Sequence, residues 1–323
     1  MDAEAIVPVS HPLISVVIST YNTGRYLPET LKSVLAQTHP NLEVILVDDG
    51  STDDTADRVE PYLDRLRFLR RPHGGLAAGR NAGLALANGD YIALLDADDL
   101  WLPEKLAVQL EIARRRPESG MIVCDGRDFG SAFSGSHLLS GAAAAALRAA
   151  PSGEVSGRFH REFIRHVGIR CPAQTLIPRR VLDHVGPFGD FDAQDYDYYL
   201  RLSSLYPVTF HSHSLVRWRD REDSMSGRRA RRDLNWTRQR LIVLRSYLHR
   251  CEPQSREAVE RQLIRNRAEA AFYCAELFDR RRGSRALRSL IRRHAWPPIA
   301  LPFWIASASP RLARSAYKLW ARF

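Results

Sequence analysis

Two short stretches of this 323-residue chain contain clustered carboxylates. The first, residues 96–99 with the sequence Asp-Ala-Asp-Asp, directly follows the apolar residues 91–95, and the second lies within residues 190–197. Carboxylates crowded at the end of a buried strand repel one another unless a cation lies between them. Oxygen ligands favour Mg²⁺ or Mn²⁺, which proteins often share with a substrate phosphate. The first stretch therefore predicts a site for a divalent cation and a diphosphate.

Alternating strands and helices would bring several polar residues to one place. Apolar, β-branched runs predict strands at residues 14–19, 43–47, 66–69 and 91–95, with helices at 26–36, 54–63 and 77–87 between them. This alternation predicts an α/β fold with a Rossmann-like, mostly parallel sheet flanked by helices. Ligands of such sheets bind at the carboxyl ends of the strands. Because Asn22, Asp49 and Asp96 all lie at that edge, we expect them to line one site.

Four segments together closely resemble the inverting family-2 glycosyltransferases of the GT-A fold. They are SVVISTYN at 15–22, VDDGSTDDT at 47–55, GRNAGL at 79–84 and LDADD at 95–99. Their order and spacing match the family along roughly the first 125 residues. The resemblance implies a GT-A fold, to which the helical pattern of the last hundred residues adds a C-terminal helical extension. It also implies transfer of a sugar from a nucleotide-diphosphate sugar, with UDP as the favoured carrier, to a hydroxyl of a glycan, a glycolipid or another acceptor.

The resemblance also implies a set of donor-binding residues. The first strand end would contact the nucleoside, and Asp49 would accept a hydrogen bond from the base. Arg80 would lie against the base or the diphosphate. Asp96 would contact ribose, while Asp98 would coordinate the Mn²⁺ or Mg²⁺ that bridges the diphosphate. The full predicted set is Thr20, Tyr21, Asn22, Asp49, Arg80, Asp96, Ala97 and Asp98.

Several of these side chains also have a structural interpretation. An aspartate before a glycine, such as Asp49, is typical of a turn, and Arg80 could be a solvated helix charge. Asp99 is expected to be a turn or cap residue rather than a ligand. Asp98 differs, because its charge beside two other carboxylates would be costly without a cation.

Residues 191–201 carry the second chemical stretch. They resemble the family segment in which an acidic pair, usually Glu-Asp, opens a helix that ends in Leu-Arg. In this alignment Asp195 takes the position of the general base, and Gln194 stands where a glutamate is common. A single in-line displacement needs a carboxylate that accepts the proton of the acceptor hydroxyl. The structural alternative is a helix N-cap, for which Asp192 is the better candidate.

The residues after the predicted core strands differ from the family pattern. Residues 216–226 resemble a flexible segment in which many members carry a histidine that approaches the metal or diphosphate. This chain has Arg219 and Arg221 instead, so we expect an arginine to contact phosphate there. His211 and His213 are expected to be structural residues near the end of a strand.

Composition limits the classes of protein that the chain could be. Its four cysteines form no CxxC motif, so neither a zinc site nor a disulfide framework is expected, and a reducing compartment is favoured. The N-terminus shows no signal peptide pattern. No uncharged apolar run reaches the roughly 18 residues of a spanning helix. We therefore expect a cytoplasmic protein.

Charge divides the chain into two regions. Residues 224–323 contain 23 Lys/Arg and 7 Asp/Glu, a net charge of +16, whereas the preceding residues contain 24 and 30, a net charge of −6. We expect a catalytic domain at 1–226 and a basic helical region at 227–323, with helices at 233–249, 255–278 and 280–293. The apolar residues 296–305 and the basic residues 310–323 suit either peripheral contact with an anionic membrane, here the inner face, or packing on the protein body.

Two other classes of protein remain open from the sequence. A nucleotidyltransferase would also use a parallel sheet and an acidic metal site, but it needs a basic Gly-rich loop after the first strand. The sequence STYNTGR at 19–25 matches such a loop poorly. A nucleic-acid-binding protein would explain the basic tail. Nucleic acid is not expected as a partner, because the acidic clusters would repel a phosphate backbone.

Overall fold

The first four strands form a parallel sheet whose members follow the predicted alternation. A computed structural model describes residues 11–130, 135, 137–166, 168–221 and 229–277. The chain divides into two compact units, Met1–Arg221 and Glu222–Phe323. The first elements are β1 (Ile14–Thr20), α1 (Leu27–Leu35), β2 (Leu42–Asp48), α2 (Thr55–Val59), β3 (Arg67–Arg70), α3 (Leu76–Leu86) and β4 (Tyr91–Asp96).

The register of these strands aligns their carboxyl ends. Strand β1 is buried along its whole length, as its apolar and small side chains require. It pairs in parallel with β2 on one side and β4 on the other, so that Ser19 lies opposite Val47 and Asp96. The residues that follow the three strands therefore start at the same edge of the sheet.

Helix α3 packs very closely on this sheet, because two of its residues are glycines. A Cβ atom at Gly79 would collide with the side chain of Ser19, and one at Gly83 would collide with Val17. A larger residue at either position would push the helix away from β1. The glycines of the GRNAGL segment thus fix the distance between α3 and the strand ends.

The second half of the unit adds a mixed set of strands. Its elements are β5 (Leu100–Trp101), α4 (Lys105–Arg115), β6 (Met121–Phe129), α5 (Gly141–Ala149), β7 (Glu154–Gly157), α6 (His160–Arg165), β8 (Thr175–Pro178), α7 (Arg179–Val185), α8 (Gln194–Leu205) and β9 (Val208–Arg219). The strand order is β3-β2-β1-β4-β8-β6-β9-β5, with β7 also paired to β9. Strand β8 is antiparallel to both β4 and β6, whereas β6 and β9 are parallel. The sheet is therefore an α/β sheet with a parallel half and a mixed half.

Strand β9 joins several strands of the mixed half of the sheet. It extends to Arg219, because it pairs with β5, β6 and β7, and its pairing with β7 holds that strand in place. The start of the predicted flexible segment is thus part of the sheet.

The second unit is described from residue 229 to residue 277. It contains α9 (Arg229–Leu248) and α10 (Pro253–Leu277), which confirm two of the three predicted helices. The two helices pack on each other, and Val243, Leu244, Val259 and Leu263 are among their buried residues. The predicted helix 280–293 and the segments 296–305 and 310–323 lie outside the described residues. No helix in the described ranges is long and apolar enough to cross a membrane.

A lysine is buried within the core of the first unit. Lys105, on α4, is fully buried, and its Nζ donates a hydrogen bond to the backbone oxygen of Thr175 at 3.0 Å. The same Nζ lies 4.0 Å from the centre of the Trp101 ring. Burial lowers the pKa of Lys105 from 10.5 to about 7. The core therefore favours the neutral amine over the ammonium ion.

This burial predicts a pH dependence of stability. Between pH 7 and 10.5 the unfolded chain binds a proton at Lys105 that the folded protein does not hold, so stability rises with pH there. The rise should reach about 1.4 kcal/mol per pH unit. The Lys105→Met variant should lose it, as measured by urea unfolding at pH 7, 8 and 9. The exposed Lys32, changed to Met, is the matched control. Equal pH dependence in Lys105→Met and wild type would contradict the prediction.

Candidate active site

Three carboxylates crowd into the turn that follows β4. The backbone N–H of Asp99 donates to the backbone oxygen of Asp96 at 3.1 Å, which closes the turn. Burial together with Asp96 raises the pKa of Asp98 above its ordinary value, although Arg221 opposes the shift. The pKa of the buried Asp99 is raised further, by burial and by the other two carboxylates. The turn therefore needs nearby cations to keep its charges.

Three arginines from distant parts of the chain supply that positive charge. The Nη2 atom of Arg80 lies 2.5 Å from Oδ1 of Asp96, and Nε of Arg221 lies 2.9 Å from Oδ2 of Asp98. Arg219 donates from its backbone N–H to Oδ1 of Asp99 and from its Nε to the backbone oxygen of Asp98, both at 2.9 Å. Asp99 is thus a structural residue of the turn, as the sequence predicts.

Arg80 also connects this turn to the second acidic stretch. Its guanidinium is buried on α3, and the negative charges of both Asp96 and Asp195 raise its pKa. In turn, burial raises the pKa of Asp195, while Arg80 opposes that shift and Asp96 adds to it. The two carboxylates therefore interact with the same buried cation, Asp96 as a direct ion pair and Asp195 through its charge. The structure brings Asp195 to the same edge as the first stretch.

The start of α8 holds Asp195 in place. The N-cap of the helix is Ala193, so Asp195 lies in the first turn, and the alternative of an N-cap role for Asp195 or Asp192 is wrong. The next backbone N–H, that of Tyr196, donates to Oδ1 of Asp195 at 2.8 Å. The positive end of the helix dipole favours the ionised carboxylate there.

Asn81 holds the segment that leads to α8. Its Nδ2 donates to the backbone oxygen of Phe188, and its Oδ1 accepts from the backbone N–H of Phe188, each at 2.9 Å. The Gly79-Arg80-Asn81 sequence therefore provides a close approach to β1, a buried cation and an attachment for the chain before Asp195. Glycine, arginine and asparagine are thus each required at their position for a different physical reason.

The turns after β1 and β2 are tied together by their own side chains. Asn22 has a positive φ of 52°, and its Oδ1 accepts hydrogen bonds from the backbone N–H groups of Thr52 at 2.8 Å and Asp53 at 3.3 Å. The buried Thr20 shares a hydrogen bond of 2.6 Å with the hydroxyl of Thr23. The side chains of Thr20 and Asn22, both predicted to bind the nucleoside, thus form hydrogen bonds that hold the turns at this edge of the sheet.

Tyr21 and Asp49 lie beside a loop that the sequence prediction did not include. Tyr21 is 45% exposed, and its ring stacks on that of His73 at 4.1 Å. The buried carboxylate of Asp49 accepts hydrogen bonds from Nη1 of Arg71 and from the backbone N–H groups of Gly74 and Gly75. His73 Nδ1 lies 3.0 Å from Oδ2 of Asp49.

Arg71 and His73 are therefore site residues that the prediction missed. The signal that could have found them is their place directly after the short strand β3, which ends at Arg70 beside β2. A Gly-Gly pair follows them, as expected where a backbone turns tightly towards a carboxylate.

Three buried polar side chains at the start of α8 lack hydrogen-bond partners in the described part of the chain. They are Gln194, at both amide atoms, and Tyr198 and Tyr199, at their hydroxyls. Tyr199 follows Asp195 by one helical turn and interacts electrostatically with Asp195, Arg80 and Asp96. Such groups are costly to bury without partners, by about 1–3 kcal/mol each. Hydrogen-bonding groups beside the candidate base are therefore available for a ligand.

The donor chemistry of the acidic turn fits a divalent cation shared with a substrate. The described residues contain no group of three His, Cys, Asp or Glu side chains arranged to hold a metal ion. Mg²⁺ and Mn²⁺ accept sites with one or two carboxylates plus substrate phosphates. Both aspartates are paired with an arginine, Asp96 with the buried Arg80 and Asp98 with the more exposed Arg221. Asp98 is therefore the better candidate of the two to hold the cation. Ala97, between them, is buried and offers no ligand side chain.

Comparison with known proteins agrees with this arrangement. The family model described as Glycosyl transferase family 2 matches residues 15–186, which is more than half of the chain. The chain belongs to glycosyl transferase family 2. This membership confirms the resemblance predicted from the sequence and favours the glycosyltransferase interpretation over the two alternatives.

Curated relatives of this family 2 protein match it over its N-terminal part. A glycosyltransferase of Nostoc sp. is 41% identical over 123 residues, which cover 36% of this chain and 38% of the relative. TuaG of Bacillus subtilis, described as a putative teichuronic acid biosynthesis glycosyltransferase, is 42% identical over 109 residues, 32% of this chain and 43% of TuaG. The matches span less than half the length of these two relatives.

Solved structures show the fold of the family 2 chain at larger coverage. TarS of S. aureus in complex with UDP-GlcNAc has a TM-score of 0.58 at 21% identity, covering 93% of this chain and 82% of TarS. The mannosyltransferase PcManGT of Pyrobaculum calidifontis in complex with GDP-Man and Mn²⁺ has a TM-score of 0.58 at 19% identity, covering 97% and 85%. The GT-A fold class predicted from the sequence is confirmed.

The buried Arg80 predicts a specific coupling in stability. Arg80→Met should destabilise the protein by about 3 kcal/mol, because it leaves Asp96 and Asp195 without their shared cation. This is the low end of the usual range, since Asp96 remains 29% exposed. Arg80→Met/Asp96→Asn should recover part of the loss. Urea unfolding of both variants measures this, and a double variant no more stable than Arg80→Met would refute the coupling.

Proposed function

We propose that this chain is an inverting glycosyltransferase that moves a sugar from a nucleotide-diphosphate sugar to an acceptor hydroxyl. The supporting observation is the buried Arg80, which forms an ion pair with Asp96 and also interacts electrostatically with Asp195. One carboxylate belongs to the candidate donor edge and the other to the helix that carries the candidate base. A reaction between donor and acceptor needs both at one place.

The donor nucleoside is proposed to bind where the turns after β1, β2 and β3 meet. Tyr21 offers an exposed aromatic ring for a base, and Asp49, which contacts the same His73, would accept a hydrogen bond from a base N–H. The His73 ring now occupies the stacking face of Tyr21, so base binding would displace it or extend the stack. A uracil N3–H suits a single carboxylate acceptor, and we propose UDP as the carrier.

Asp195 is proposed to act as the general base. Its carboxylate would accept the proton of the acceptor hydroxyl as that oxygen attacks the sugar carbon from the face opposite the diphosphate. The buried Arg80 favours the ionised form of Asp195, since its positive charge opposes the rise in pKa that burial causes. The raised pKa also makes Asp195 a stronger base than an ordinary aspartate.

Asp98 would hold the divalent cation, which when bound would neutralise charge on the departing nucleotide. Asp96, whose charge is balanced by Arg80, would accept a hydrogen bond from ribose. We propose a glycan or a lipid-linked molecule as the acceptor. The location would be cytoplasmic, with peripheral contact between the basic C-terminal region and the inner membrane face.

Calorimetric titration with nucleotides tests the donor proposal. UDP should bind in the presence of Mn²⁺ and bind more weakly in EDTA, while TDP, GDP and CDP should bind less tightly than UDP. Asp98→Ala should lose the effect of Mn²⁺, because it removes the proposed ligand. Asp57→Ala, at an exposed aspartate on α2, is the control. Failure of all four nucleotides to bind would overturn the proposed function.

Turnover of the Asp195→Asn variant tests the base. We expect a loss of roughly 10²-fold or more, the usual scale of base catalysis, with nucleotide affinity nearly intact. Asp192→Asn, at an exposed aspartate in the same segment, should keep its turnover. Turnover can be followed as release of the nucleoside diphosphate. Unchanged release by Asp195→Asn would remove this residue from the mechanism.

A further inference from the structure

Arg221 lies on the carboxylate that is proposed to hold the metal. Its Nε is 2.9 Å from Oδ2 of Asp98, and the two side chains are 16% and 17% exposed. The guanidinium also lies over the Tyr26 ring, 5.1 Å from its centre. A divalent cation that bound Asp98 would be placed directly against this positive charge. Arg221 and the metal therefore compete for Asp98.

The other two arginines of the acidic turn are held much more firmly. Arg80 is buried within α3. Arg219 is the last residue of β9, and in addition to its bonds to the turn its Nη2 lies 2.6 Å from Oε2 of Glu29. Arg221 comes two residues after the end of β9. Its side chain is more exposed than that of Arg80, at 16% against 4%. Of the three arginines, Arg221 is the one that lies outside a helix or strand.

We propose that Arg221 changes partners when the donor binds. In the donor-free protein it neutralises Asp98, and in the donor complex it binds the diphosphate while Asp98 holds the divalent cation. This inference rests on the proposed function and names a further donor-binding residue. The planar, forked guanidinium matches phosphate oxygens in geometry and charge.

Charge balance supports the exchange. In the donor-free protein Arg80 and Arg221 offset Asp96 and Asp98. A divalent cation cancels the charge of the diphosphate that arrives with it, so the complete set of charges remains balanced after the exchange. A cation that arrived alone would instead add positive charge beside Arg221. The metal should therefore bind weakly to the free protein and more tightly together with the nucleotide.

Manganese binding in the absence of nucleotide provides the first test. Free aqueous Mn²⁺ can be measured by its electron paramagnetic resonance signal during titration with protein. Arg221→Gln should bind Mn²⁺ about tenfold more tightly than wild type, because an opposite charge this close changes the cation affinity of a carboxylate by that order. Arg221→Gln/Asp98→Asn should lose the gain. Arg217→Gln, at an exposed position of β9, is the control and should match wild type.

Nucleotide binding at saturating Mn²⁺ provides the second test. Arg221→Gln should bind UDP about tenfold or more weakly than wild type, as expected for loss of a charge-assisted contact to phosphate. Arg221→Lys should recover part of the affinity. Arg217→Gln should again match wild type, and a thermal midpoint of Arg221→Gln equal to wild type will show that the fold is retained.

Three results would overturn the exchange. The first is equal Mn²⁺ affinity in Arg221→Gln and wild type, and the second is weaker binding of both Mn²⁺ and UDP by the variant. The third is UDP binding by wild type that is unaffected by EDTA but lost in Arg221→Gln, since the arginine would then replace the metal. Failure of the proposed function would give a different result, namely that no nucleotide binds to wild type. Tighter Mn²⁺ binding by Arg221→Gln would still show that Arg221 and the metal compete for Asp98.

Discussion

The crowding of Asp96, Asp98 and Asp99 in one turn is the constraint on which the rest of the site depends. Three carboxylates so close together cannot all remain charged at a partly buried strand end without nearby cations. The arginines that supply the charge come from α3 and from the end of β9. The acidic turn thus links the parallel half of the sheet to the mixed half, and the electrostatics of the site is also part of the fold.

Helix α3 satisfies this constraint through its close packing on the sheet. Gly79 and Gly83 allow the helix to approach β1 closely, and a methyl group at either position would collide with a β1 side chain. Only at that distance is the Arg80 side chain buried against Asp96 while it also reaches the field of Asp195. Asn81, next in sequence, holds the chain that leads into α8. A short stretch of three residues therefore sets the relative positions of the donor edge and the candidate base.

The parts of the structure that the sequence predicted are those determined by local pattern. Apolar runs and the turns after them predicted the four parallel strands and the edge that carries Asp49 and Asp96. The extension of β9 to Arg219 could not be predicted, because it depends on pairing with three strands that are distant in sequence. The hydrogen bonds from Arg71 to Asp49 and the pairing of Arg221 with Asp98 were missed for the same reason. Ion pairs between remote segments leave no periodic signal in a sequence.

The two arginine–aspartate pairs of the acidic turn differ in what they leave their carboxylates able to do. Arg80 comes from a rigid, buried position, so Asp96 keeps its partner and remains an acceptor for neutral hydroxyl donors on its exposed side. Arg221 comes from beyond the end of β9 and is more exposed than Arg80, at 16% against 4%. In the proposed exchange Asp96 keeps its cation, whereas Asp98 releases its cation to the diphosphate and accepts the metal. Two aspartates separated by a single alanine can therefore have different chemistry, because their counterions differ in burial and in position along the chain.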